Sequence, residues 1–108
     1  MQKVDVDFER SCSQRVSAIA DEFMAQMPSD LSVVSVGRLT RLNEQAKVTL
    51  SKLRAQVGYL SSQQLGEADD GRDLALEASK AAAIDAVDAV TRAKQTVLEQ
   101  RMRLLQGR

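Results

Sequence analysis

Histidine and tryptophan are absent from this 108-residue chain, and cysteine and proline occur once each. A chain without histidine lacks the commonest metal ligand and the commonest general base, so most zinc, haem and Cys–His sites are excluded. The single cysteine, Cys12, cannot form an intramolecular disulfide. It falls on an apolar helical stripe, where we expect a structural core thiol. We therefore expect no catalytic residues, no metal and no cofactor, and predict that the protein is not an enzyme.

Long apolar runs are also missing, and the N-terminal residues include acidic side chains where a signal peptide needs an apolar core. The lone cysteine fits a reducing compartment. These features predict a complete, unprocessed, cytoplasmic protein without a membrane partner. No glycine-rich phosphate-binding motif follows a strand, so we expect no small-molecule substrate.

Aromatic residues make up only 3% of the chain, whereas hydrophobic residues make up 44%. The core must therefore be built from leucine, valine, isoleucine, methionine and alanine. Such side chains suit the packing of helix on helix. We predict an all-α fold formed by a single domain over residues 1–108.

Three helices follow from the apolar periodicity. Helix 1, at about residues 5–27, has apolar residues at steps of four and three and ends at Pro28, which cannot continue a helix. Its stripe comprises Phe8, Cys12, Val16, Ile19, Phe23 and Met27. Helix 2, at about residues 30–65, has a narrower stripe that is typical of a coiled-coil-like contact with another long helix. That stripe comprises Leu39, Leu42, Ala46, Leu50, Leu53, Val57 and Leu60.

Residues 31–37 do not share the phase of the helix 2 stripe and include three valines. A short strand is one interpretation, but no other segment of the sequence reads as its pairing partner. We favour an apolar first turn or two of helix 2, kinked at Gly37.

A loop at residues 66–71 separates helix 2 from helix 3, which we place at residues 72–106. The apolar side of helix 3 is broad enough for two neighbours. It comprises Leu76, Ala83, Ile84, Ala86, Val87, Val90, Val97, Leu98, Met102, Leu104 and Leu105. Because the connecting loop is short, helices 2 and 3 should form a long antiparallel hairpin with the shorter helix 1 packed on it.

Helix 1 is too short to cover this hairpin, so apolar surface should remain exposed at residues 31–36 and 102–105. We expect an oligomer, because self-association is the simplest way to cover that surface. The formal net charge is zero, yet residues 38–65 and 92–108 each carry five basic residues and one acidic residue. The hairpin brings these basic segments together. The predicted partner-binding residues are Leu31, Val34, Val36, Arg38, Arg41, Lys94, Arg101, Met102 and Leu105.

Excess apolar helix surface without catalytic chemistry predicts a protein–protein interaction module, such as a chaperone, adaptor or regulator, that binds a protein partner or itself. One alternative is a structural subunit of a helical assembly or secretion apparatus. A further alternative is nucleic-acid binding through the basic end, where residues 38–47 resemble the polar face of a recognition helix. Few aromatic residues are available for stacking on bases, which counts against that last alternative.

Overall fold

The computed structural model describes residues 6–63 and 70–107, and these residues confirm the all-α prediction. Three α-helices span Val6–Gln26 (α1), Val36–Ser62 (α2) and Asp70–Gln106 (α3). A short 3₁₀ turn at Leu31–Val33 connects α1 to α2. No strand occurs among the described residues, so the strand interpretation of residues 31–37 is wrong.

The first helix has the predicted buried stripe. Cys12, Val16 and Phe23 are buried, and Phe8, Ile19 and Met27 pack against the same core. Asp7 and Glu9 lie in the first turn, where acidic side chains interact favourably with the helix dipole. The helix ends at Gln26 because the residue preceding a proline is disfavoured in helical conformation.

The second helix begins at Val36, so its predicted start near residue 30 is wrong. Two side-chain caps cause the difference. Asp30 accepts hydrogen bonds from the backbone N–H and the hydroxyl of Ser32, at 3.0 and 2.6 Å. The Ser35 hydroxyl accepts a hydrogen bond from the Arg38 N–H at 3.2 Å and caps α2. Two helical segments therefore begin within six residues, and extended backbone at Val34 and Ser35 separates them.

From Val36 onward the predicted stripe of α2 is confirmed. Leu39, Leu42, Ala46, Leu50, Leu53 and Leu60 are buried, and Val57 packs against the core. The helix has 27 residues rather than about 35. Its predicted last two residues, 64 and 65, lie outside the described part of the chain.

The third helix begins at Asp70, so the predicted loop is wrong at residues 70 and 71, while residues 66–69 lie outside the described part. Its fully buried row is narrower than the apolar side predicted from sequence. That row comprises Ala75, Ser79, Ala83, Val90 and Val97. Ile84, Met102 and Leu105 remain 47–56% exposed. Small side chains occupy the first half of the row, which allows close approach of neighbouring helices.

The three helices run up, down and up along an elongated bundle measuring 63 × 21 × 16 Å. The Arg72 guanidinium lies 5.0 Å from the centre of the Phe8 ring, which places the starts of α1 and α3 together. Leu39 and Leu42, near the start of α2, pack with Val97 near the end of α3. The α2 and α3 helices are therefore antiparallel, while α1 runs parallel to α3.

Candidate interaction surface

One end of the bundle contains all nine residues that the sequence predicted for partner binding. This end is formed by the 3₁₀ turn, the start of α2 and the last part of α3. We call the accessible side chains of residues 31–41 and 94–105 the end surface. A shallow groove within it runs between residues 32–37 and Leu104.

Apolar side chains of the end surface differ sharply in exposure. Met102 is 56% exposed, Leu105 is 49% exposed, and Leu31 and Val36 are half-buried. Val34 is only 6% exposed and packs with Leu39, Leu42 and Val97, so its prediction as an accessible contact residue is wrong. The extended backbone after the 3₁₀ turn directs this side chain into the bundle.

Val33, which the sequence analysis did not select, is the most exposed large apolar residue of the described chain, at 81%. Three valines follow one another closely in this segment. Helical periodicity assigns Val33 and Val34 to the wrong sides because both precede α2 and neither is α-helical. The only available signal was the pair of capping residues, Asp30 and Ser35.

Four of the predicted contact residues carry positive charge. Arg38 and Arg41 are exposed and border a second groove with Ala25 and Gln26. Lys94 and Arg101 are half-buried on α3. Within residues 6–63 and 70–107 only two ion pairs form, Lys47–Glu44 at 3.1 Å and Lys80–Glu77 at 3.6 Å. The cations of the end surface therefore have no ion-pair partner in the described chain.

Arg101 shows this lack of partners most clearly. Its Nε atom is buried, and it has no hydrogen-bond partner in the part of the chain that the structure describes. A buried donor without a partner costs free energy.

Polar atoms are also buried without partners inside the bundle, a feature that the sequence analysis missed. Asn43 Oδ1, Gln56 Nε2 and Ser79 Oγ lack hydrogen-bond partners among the described residues. Asn43 belongs to residues 38–47, whose polar face resembles that of a recognition helix, but only 8% of this residue is exposed. The start of α2 therefore does not present that residue to a nucleic acid.

A second surface lies between α1 and α2, where an open groove of about 310 Å³ is lined by Ile19, Phe23 and Val48. Glu22, Glu44 and Lys52 contribute its charged rim. Val48 is 56% exposed and lies outside the buried stripe of α2. The charged groups of this groove are of both signs, whereas the end surface is predominantly basic.

The chemical features of the rest of the chain are limited. Cys12 is buried at 3% exposure, which confirms its predicted place in the core. Tyr59 is 44% exposed, and the Arg15 guanidinium lies 6.0 Å from its ring centre. In the described ranges, no group of three or more Cys, Asp or Glu side chains is placed to hold a metal ion. The same ranges contain no helix with the length and apolar character needed to cross a membrane.

Comparisons of the chain with protein-family models, with curated proteins and with solved structures found no match.

Proposed function

We propose that this protein is a non-enzymatic helical interaction module, an adaptor, regulator or chaperone of the cytoplasm, which binds a protein partner through its end surface. The observation that carries the proposal is the exposure of Val33, Met102 and Leu105 at the same end of the bundle. Clustered exposed apolar side chains with a polar rim are typical of protein-binding sites.

The cations around these side chains support the same proposal. Charged groups at the rim of an interface increase the association rate and select partners. Arg38, Arg41, Lys94 and Arg101 have no ion-pair partner among the described residues, so they remain available for that role.

A structural subunit of a helical assembly is the second candidate. The elongated shape of the bundle and the exposure of Met102 and Leu105 favour this candidate. Exposed apolar side chains on the last helix can pack against a neighbouring subunit. Val97, on the predicted apolar side of this helix, is fully buried in its own bundle and does not contribute to such a contact. Light scattering separates the candidates, since an assembly subunit forms large species whose size grows with protein concentration.

The proposal is tested by affinity isolation from the native cell with the wild-type chain and the double variant Met102→Asp/Leu105→Asp. Ile84→Asp is the matched control, because Ile84 lies on the same helix at 47% exposure, close to the 49% of Leu105. We expect the same partner with the wild type and the control, and its loss with the double variant. Recovery that is equal for all three chains, or no specific partner of the wild type, contradicts the proposal.

Circular dichroism of the three chains provides the folding control. Since Met102 and Leu105 are largely exposed, their replacement should leave the helical signal unchanged.

A further inference from the structure

We infer that the end surface docks an acidic amphipathic helix of another protein, because exposed apolar side chains and unpaired cations occur together there. This inference rests on the proposed function and specifies the chemical class of the partner.

The apolar part of the surface has helical spacing. Leu98, Met102 and Leu105 follow at steps of four and three, which places them on one side of α3. They extend over about 10 Å along the helix axis. Lys94 and Arg101 lie on the same side of α3, so two cations accompany this apolar row. Recognition of an amphipathic helix through apolar residues at such helical spacing is a recurring mode of peptide binding.

The charged part of the surface has one dominant sign. Residues 31–41 and 94–105 contain five basic residues and one acidic residue. The basic residues are Arg38, Arg41, Lys94, Arg101 and Arg103. None of the five belongs to an ion pair within the described chain. A docked helix with carboxylates beside its apolar face would complement Lys94 and Arg101, which lie along the same side of α3 as the apolar row.

A second copy of this chain fits the surface less well. A two-fold dimer uses the same patch on both subunits, so the five cations of one copy would face those of the other. Like charges brought together in this way oppose association.

A nucleic acid also fits less well. Phosphate contacts require cations but make no use of exposed apolar side chains such as Val33 and Met102. The described part of the end surface also contains no aromatic residue on which a base could stack.

The test uses three short synthetic helical peptides and fluorescence anisotropy with the full chain. The first has leucine on one face and glutamate on the other, the second replaces glutamate with lysine, and the third replaces leucine with serine. We expect the glutamate–leucine peptide to bind at least about tenfold more tightly than either of the others, and its affinity to fall as salt is raised.

Variants of the chain locate the binding site. Arg101→Glu/Arg103→Glu should weaken the glutamate–leucine peptide by about tenfold or more, since two attractive charges become repulsive. Met102→Asp/Leu105→Asp should weaken it similarly, whereas Ile84→Asp should leave its affinity unchanged.

Equal affinity for the glutamate and lysine peptides overturns the inference, while the proposed function is still decided separately by affinity isolation. A short DNA duplex or a phosphatidylserine vesicle that binds more tightly than the acidic peptide also overturns it. Sedimentation that shows a dimer of the wild type but a monomer of Arg101→Glu/Arg103→Glu overturns it in favour of a second copy.

Discussion

The middle of the bundle and its end surface both carry large apolar side chains, but these are buried in the middle and exposed at the end surface. In the middle, Leu53 and Val90 are fully buried because α1, α2 and α3 pack around them. At the end surface, Met102 and Leu105 are about half exposed. The α1 helix has 21 residues, about 31 Å in length, and α3 has 37, about 55 Å. Because these helices start together, α3 extends well beyond the end of α1.

Apolar periodicity thus identifies the sides of a helix but not how far its neighbouring helices extend. The last turns of α3 carry leucine and methionine as the buried turns of α2 do, yet the core cluster there is small. Among the described residues, Val97 and Leu104 of α3 share it with Met27, Leu31, Val34, Leu39 and Leu42. Helix length therefore decides which apolar residues form core and which remain available for a partner.

A charged substitution in the core at the middle of the bundle should have the largest effect on stability. Leu53→Asp places a carboxylate at a fully buried position, and we expect a loss of more than about 4 kcal/mol in unfolding free energy. Circular dichroism should report a largely unfolded chain. Val48→Asp, at an exposed position of the same helix, should keep the native signal. An unchanged helical signal for Leu53→Asp would refute the assignment of the α2 stripe to the core.

Truncation of single leucines compares buried and exposed positions near the same end. Leu39→Ala removes a fully buried side chain and should cost about 2–5 kcal/mol in urea denaturation. Leu105→Ala should cost less than about 1 kcal/mol, because that side chain is half exposed. Similar costs at the two positions would mean that Leu105 is buried in solution and is not an accessible part of the end surface.

The buried polar atoms of the middle region allow a stabilising change. Ser79 is fully buried and its hydroxyl has no partner among the described residues, so Ser79→Ala removes an uncompensated polar group. Ser51→Ala, at an exposed site on α2, is the control, because it changes stability only through the higher helix propensity of alanine. We expect Ser79→Ala to stabilise the protein by about 1 kcal/mol more than Ser51→Ala in urea denaturation. Equal effects would indicate that the Ser79 hydroxyl is satisfied in solution.

The smallest expected effect is the contribution of Asp30, just before the 3₁₀ turn, to the pH dependence of stability. Hydrogen bonds from the Ser32 hydroxyl and backbone N–H lower the pKa of Asp30 below its usual 3.8. The folded chain therefore binds this proton less readily than the unfolded chain. The stabilisation is present above pH 3.8 and is lost as the pH falls through the lowered pKa.

Urea denaturation of wild type and Asp30→Ala checks this sign. The wild type should be more stable near neutral pH, and the difference should shrink in acid. Ser32→Ala, which removes the hydroxyl donor, should reduce the pH dependence while keeping the carboxylate. A stability difference that grows in acid would contradict the proposed cap.

The sequence was sufficient for the stripes of α1 and α2, because buried residues such as Val16 and Leu50 recur with the helical period. It was insufficient at residues 30–35, where the Asp30 and Ser35 caps outweigh a continuous apolar run and divide it into two segments. For the same reason, Val34 was predicted as a contact residue although it is buried, and the exposed Val33 was not selected. The burial of Asn43 and Ser79 could not be predicted, since polar side chains give no periodic apolar signal.

Photo-crosslinking in the native cell shows whether the end surface contacts another protein. A photoreactive benzoylphenylalanine replaces Met102 in one chain and Ile84 in another, two exposed positions on the same helix. The end surface as a docking site predicts a discrete crosslinked protein from position 102 that is absent from position 84. Identical crosslinks from both positions, or none from position 102, would contradict it.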